Sequence, residues 1–303
     1  MSGRTWGGVP SVLARLIGAS VVLGAGSATS LPLNIAHRGY SAAFPENTLV
    51  ATEAGFAAGA DVVEIDLLKS SDGEVVIFHD DTLDRTTNGT GRVDQTTLAD
   101  LEPLDAGSWF APEFVGEPIP TLVEALSLQQ QLGGGPLLLD QKSGLLFGAE
   151  IAAAVQATGL SAADDIWVTA WTQDQVLDIR THLPDTFILW TGLNAGEVGI
   201  SGIAALQALG VGGFSFIFES YETNPGFLEA VQAAGMEAYA WNLDIVLPET
   251  PEKMQGAIDI GLDGYIVNDP AQFGTILMPE PGTDLGRLVL VALGLAMCAK
   301  SRA

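Results

Sequence analysis

Between residues 31 and 278, short apolar runs rich in β-branched and aromatic residues alternate with longer stretches whose apolar positions recur every three or four residues. The short runs predict strands at Asn34–His37, Val62–Leu67, Val75–His79, Leu137–Asp140, Ile166–Ala170, Phe187–Trp190, Gly213–Phe216, Ala238–Trp241 and Gly264–Val267. The longer stretches predict helices at Thr48–Ala58, Leu122–Leu132, Ala149–Ala157, Gln173–His182, Gly202–Leu209, Pro225–Ala234 and Glu252–Ile260. Strand and helix in turn over about 250 residues predict a single α/β domain, a TIM-type (β/α)8 barrel.

One pair of strands departs from the alternation. Val62–Leu67 and Val75–His79 are joined only by a short polar segment containing Asp72-Gly73, too short for a parallel crossover and typical of a hairpin turn. The two should run antiparallel, with His79 roughly opposite Glu64. Setting this returning strand aside leaves eight for the barrel. Residues of about 80–120, rich in Thr, Gly, Asp and Pro, then read as an insertion after the hairpin, an excursion over one face of the kind that forms lids or binding loops.

Charge sharpens the picture. An apolar share of 48% and a mean hydropathy of +0.31 exclude a disordered chain. Against 37 Asp and Glu stand 12 Lys and Arg, a formal net charge of -25. Such acidity repels phosphate backbones and excludes nucleic-acid binding through a basic face. The single cysteine, Cys298, leaves no internal disulfide framework and no cysteine-based zinc site. Residues 31–278 hold 35 of the acids but only seven bases: Arg38, Lys69, Arg85, Arg92, Lys142, Arg180 and Lys253.

The two ends differ from the body. In residues 1–30, Arg4 and Arg15 precede the apolar run Leu16 to Leu23 and a small-residue exit, the pattern of an export signal. In residues 279–303, Pro279-Glu280-Pro281 is followed by an apolar run, Leu288 to Ala299, and by Lys300 and Arg302. That run is short of the ~20 residues a membrane span needs. The tail resembles the PEP-CTERM sorting signal of some Gram-negative bacteria. The resemblance implies an exported protein, periplasmic, outer-envelope or extracellular, that meets the membrane only through this tail and is a partner of an envelope sorting protease.

The chemistry lies at the ends of the early strands. His37-Arg38-Gly39 follows the first strand, and Glu64 and Asp66 share one face of the second. His79-Asp80 ends the returning strand, and Asp140-Gln141-Lys142 ends the next. C-terminal strand ends of such barrels converge on one mouth, where active sites are found. Three carboxylates suit a hard divalent cation, Ca²⁺ or Mg²⁺. Two imidazoles can exchange protons near neutral pH, while a guanidinium and an ammonium neutralise phosphoryl oxygens. Together these groups point to phosphodiester cleavage. Trp109 and Phe110 in the excursion could line a pocket or simply pack, and His182 reads as a surface residue.

These residues carry a family resemblance. His37-Arg38-Gly39, Phe44-Pro45-Glu46-Asn47-Thr48, Glu64-Ile65-Asp66, Asp72-Gly73 with Val76, His79-Asp80 and Ile119-Pro120-Thr121-Leu122 stand in the order found in the glycerophosphodiester phosphodiesterases. Asp140-Gln141-Lys142, Trp241-Asn242 and Leu262-Asp263-Gly264-Tyr265-Ile266 continue the resemblance across roughly Asn34 to Phe273. It implies hydrolysis of glycerol phosphodiesters to glycerol 3-phosphate and an alcohol. It also implies that His37 and His79 are the acid/base pair, that Glu64, Asp66 and Asp140 hold the metal, and that Arg38 and Lys142 meet the phosphate. Asp140 stands where the family usually has Glu, and Asn268 lies where a Thr-Asp stretch is more common. With Trp241 and Asn242, such changes fall where the glycerol or alcohol moiety is expected. Two other readings are a sphingomyelinase D-like lyase on the same barrel and a non-catalytic, envelope-displayed barrel.

Overall fold

The structure, a computed structural model, describes residues 31–142, 144–192, 198–223, 225–242 and 249–278. The expected export segment and sorting tail lie outside the described residues. The strands are β1 (Leu33–Ala36), β2 (Val62–Lys69), β3 (Val75–Ile77), β4 (Leu137–Gln141), β5 (Ile166–Ala170), β6 (Phe187–Thr191), β7 (Gly213–Ile217), β8 (Glu237–Trp241) and β9 (Gly264–Val267). The helices are α1 (Leu49–Ala57), α2 (Leu98–Leu101), α3 (Leu122–Leu132), α4 (Gly148–Thr158), α5 (Gln173–His182), α6 (Gly199–Ala208), α7 (Phe218–Thr223), α8 (Pro225–Ala233), α9 (Pro251–Asp259) and α10 (Pro270–Leu277).

All strands but β3 pair in parallel, and β1 pairs with both β2 and β9, so the sheet closes into an eight-stranded barrel. Local sequence sets several helix starts. Thr121 and Glu124 form a reciprocal capping box before α3, and Thr172 and Gln175 do so before α5. Thr48 caps α1 by accepting the Ala51 N–H. The helix α10 escaped the apolar pattern, although Asp269 at its N-cap and Pro270 in its first turn are start signals.

Strand alternation divides the apolar residues into layers. Val63, Ile65 and Leu67 of β2 face the helices with Leu137 and Leu139 of β4, while Val62 and Leu138 enter the barrel interior with Ile35, Leu189 and Tyr239. The excursion has its own small core. Leu83, Val93, Leu101, Ala106 and Ile119 pack on Leu68, Val76 and Phe78, so the segment is a folded cap rather than a bare loop.

The hairpin register differs from the expected one. Lys69 pairs with Val75 and Leu67 with Ile77, because the turn runs from Ser70 to Glu74 and is closed by the Ser70 N–H on the Glu74 carbonyl. The ladder points His79 toward Ile65, one residue away from Glu64. Had the strand continued, the His79 side chain would share the face of Ile77, which packs in the helix-side core. Instead the chain leaves β3 after Ile77, with a last bond from the Phe78 N–H to the Asp66 carbonyl at 3.0 Å.

Candidate active site

The inward positions just above the apolar plug form the site. Asp66 on β2 and Asp140 on β4 are direct partners in the parallel register, so their carboxylates rise side by side at one level. Glu64 lies two residues lower on the same face. Ligand oxygens of Glu64, Asp66 and Asp140 all lie within 4.8 Å of one another. A cavity of about 320 Å³ joins them to His37, Arg38, His79, Lys142 and Trp241, with Thr169, Trp171, Thr191 and Ser215 completing its polar wall.

The turn after β1 is shaped to present Arg38. Arg38 has φ 55° and Asn47 φ 58°, both left-handed, and Gly39 between them has φ 80°. A Cβ on Gly39 would stand 2.5 Å from the Ala51 carbonyl carbon, so the close approach of this turn to α1 requires glycine. The Arg38 N–H donates to Glu64 Oε2 at 2.8 Å, and its Nη1 donates to Glu46 Oε1 at 2.8 Å. Arg38 Nε stands 3.2 Å from Asp66 Oδ2, an ion pair rather than an aligned hydrogen bond. Asn47 secures Asp66 from the other side, donating from Nδ2 to Oδ2 at 2.7 Å and accepting the Asp66 N–H at 3.1 Å.

Each imidazole has its Nδ1 engaged. His37 Nδ1 lies 2.7 Å from Asn268 Oδ1, and His79 Nδ1 lies 2.6 Å from Asp80 Oδ1. Since each partner oxygen accepts, both rings carry hydrogen on Nδ1. Asn268 therefore supports the His37 ring. Lys142 pairs with Asp66 and stands 3.4 Å from Asp140 Oδ2. Asp140 Oδ1 accepts from Thr169 Oγ1 at 2.5 Å and from Trp171 Nε1 at 3.3 Å.

Burial and charge pull the carboxylates apart in acidity. Glu64 is fully enclosed; burial, followed by repulsion from Asp66, lifts its carboxyl well above the usual range. Burial also pushes Asp66 upward, but Lys142 and Arg38 overcome it and hold that carboxyl well below the usual range. Burial lowers the His79 imidazole, partly offset by Asp66. Three converging carboxylates of which one resists ionisation form a donor set short of positive charge, and this fits a divalent cation.

Trp241 lines the cavity, and its indole N–H is buried with no partner among the described residues. Asn242, next along, is buried outside the cavity lining, since successive residues of a strand face opposite sides. Trp109 and Phe110 belong to a chain of ring contacts through Phe114 and Phe44 to Tyr40 beside the mouth. His182 bonds the Asp178 carbonyl at the end of α5, away from the site. No local sequence pattern marks Thr169 or Trp171, or the contacts of Glu46, Asp80 and Asn268.

Comparison with known proteins agrees with this geometry. The profile of the glycerophosphoryl diester phosphodiesterase family matches residues 37–272. A glycerophosphodiester phosphodiesterase of Caldanaerobacter subterraneus is 31% identical over 244 residues, covering 78% of this chain and 94% of that one. A phosphodiesterase of Oleispira antarctica, solved in complex with the product sn-glycerol-3-phosphate, is 29% identical with a TM-score of 0.71, covering 82% of this chain and 97% of that one. The Agrobacterium tumefaciens enzyme is 25% identical with a TM-score of 0.68, covering 81% and 100%. The chain belongs to the glycerophosphoryl diester phosphodiesterase family.

Proposed function

We propose that the protein hydrolyses glycerophosphodiesters to glycerol 3-phosphate and an alcohol, with a divalent cation and with His37 and His79 as the proton-exchanging pair. The observation that carries this reading is the meeting of both imidazoles, Arg38, Lys142 and the three carboxylates on one cavity. Glu64, Asp66 and Asp140 would hold Ca²⁺ or Mg²⁺, which supplies positive charge for the non-bridging oxygens of the phosphodiester. Arg38 meets those oxygens from the β1 turn, and Lys142 from the end of β4. One imidazole takes the proton from the attacking hydroxyl, that of water or of the glycerol C2, and the other gives a proton to the departing alcohol; where the C2 hydroxyl attacks, a cyclic phosphate forms and water then opens it to glycerol 3-phosphate. The buried indole N–H of Trp241 suits a glycerol hydroxyl as its missing acceptor. The Pro45-Glu46-Asn47-Thr48 motif and the folded excursion favour the diesterase over a sphingomyelinase D-like lyase.

Turnover of glycerophosphocholine and glycerophosphoglycerol, read as glycerol 3-phosphate released, tests the proposal. Chelation should abolish turnover, and Ca²⁺ or Mg²⁺ should restore it; no rescue by either overturns the ligand assignment. His37→Ala and His79→Ala should each lower kcat by about a hundred-fold or more. Undiminished turnover by the double variant would place the chemistry elsewhere. The signal-like residues 1–30 and the PEP-CTERM-like tail support an exported, envelope-sorted enzyme. Fractionation of the native host tests that, with a cytoplasmic protein overturning it.

A further inference from the structure

Arg85 is an excursion residue outside the cavity lining, yet its guanidinium joins two arms of the site. Its Nε and Nη2 donate to Asp80 Oδ2 and Oδ1 at 2.6 and 3.0 Å. Its Nη1 and Nη2 donate to Glu46 Oε2 and Oε1, both at 2.8 Å. Each carboxylate then reaches one functional group: Asp80 Oδ1 lies 2.6 Å from His79 Nδ1, and Glu46 Oε1 accepts from Arg38 Nη1 at 2.8 Å. Trp109 flanks the same guanidinium, its ring centre 5.9 Å away.

We infer that Arg85 is a positioning residue that fixes the His79 imidazole and the Arg38 guanidinium relative to one another, through Asp80 and Glu46. Two forked pairs on one planar cation set both the separation and the tilt of the two carboxylates, which a single ammonium would not. His79 and Arg38 come from different segments, one after β3 and one after β1. Without the bridge, Glu46 and Asp80 would be two anions facing each other across the gap, and the arms would part. The inference rests on the roles proposed for His79 and Arg38. It adds that the excursion holds the catalytic geometry rather than merely covering the mouth.

The test compares Arg85→Lys and Arg85→Ala with the parent chain, loaded with Ca²⁺ or Mg²⁺, on glycerophosphocholine. Misplacement of about an ångström commonly costs ~10²-fold in rate. Arg85→Lys should therefore lose about ten- to a hundred-fold in kcat with little change in KM, although it keeps the charge. Millimolar guanidinium should restore part of the rate of Arg85→Ala. If Arg85 acts through Asp80, adding Asp80→Asn to Arg85→Ala should cost less than Asp80→Asn costs alone. Thermal melting of each variant separates loss of fold from loss of alignment. An Arg85→Lys enzyme as fast as the parent, or additive losses in the double variant, overturns the inference. If His79→Ala and Arg38→Ala are themselves fully active, the functional reading fails first, so the two failures are distinguishable.

Discussion

At the scale of the residue, Asp140 is the informative position. It is one methylene shorter than the glutamate usual in the family, and its carboxylate is held by two donors, Thr169 and Trp171, on the same oxygen. Oδ2 is thereby turned toward Lys142. Removing an outer donor from a metal-ligating carboxylate commonly costs about 10–100-fold in metal affinity. Thr169→Val should accordingly weaken Ca²⁺ or Mg²⁺ binding by about ten-fold, measured by titration calorimetry, and should also lower the melting temperature, since Thr169 Oγ1 accepts the buried Gln141 N–H as well. The convergence of the carboxylates is legible in sequence, because two acids spaced two apart within an apolar strand have few other uses. The donors are not. Thr169 lies 29 residues from Asp140, and Asn268 lies 231 from His37. Such pairs meet only when the barrel closes, and no local pattern records them.

At the scale of the element, the strands are legible nearly to the residue because strand alternation and flanking turns are local signals. The excursion looks irregular in sequence because its short helix and buried apolar residues lack any sustained period. The β2–β3 register was off by one because it is decided by the geometry of the Ser70–Glu74 turn, not by its composition. The turn between β1 and α1 is the most demanding connection of the site, with its left-handed Arg38, Gly39 and Asn47. Gly39→Ala would combine an unfavourable φ with a clash against the α1 backbone. It should lower stability by at least about 2 kcal/mol in urea unfolding and depress turnover with it, since Arg38 is carried on the same turn.

At the scale of the whole molecule, the acid excess sets the terms of substrate approach. Residues 31–278 carry seven bases against 35 acids, so the long-range field repels anions, and Arg38 and Lys142 together with the proposed divalent cation would offset it at the cavity. Salt screens the distant charges more than the enclosed ones. Raising ionic strength from about 0.01 to 0.15 M shortens the screening length from ~30 to ~8 Å. Over that range kcat/KM for anionic glycerophosphoglycerol should rise about two-fold relative to zwitterionic glycerophosphocholine. An unchanged ratio would show that the global charge plays no part in capture.

The strand β3 has a consequence of another kind. Its odd residues, Val75 and Ile77, belong to the barrel's helix-side core, while Val76 and Phe78 belong to the core of the excursion. One short strand thus acts as a partition between two interiors that share no buried residue. Substitutions within the excursion core can accumulate without loosening the barrel, and the barrel can drift without remodelling the cap.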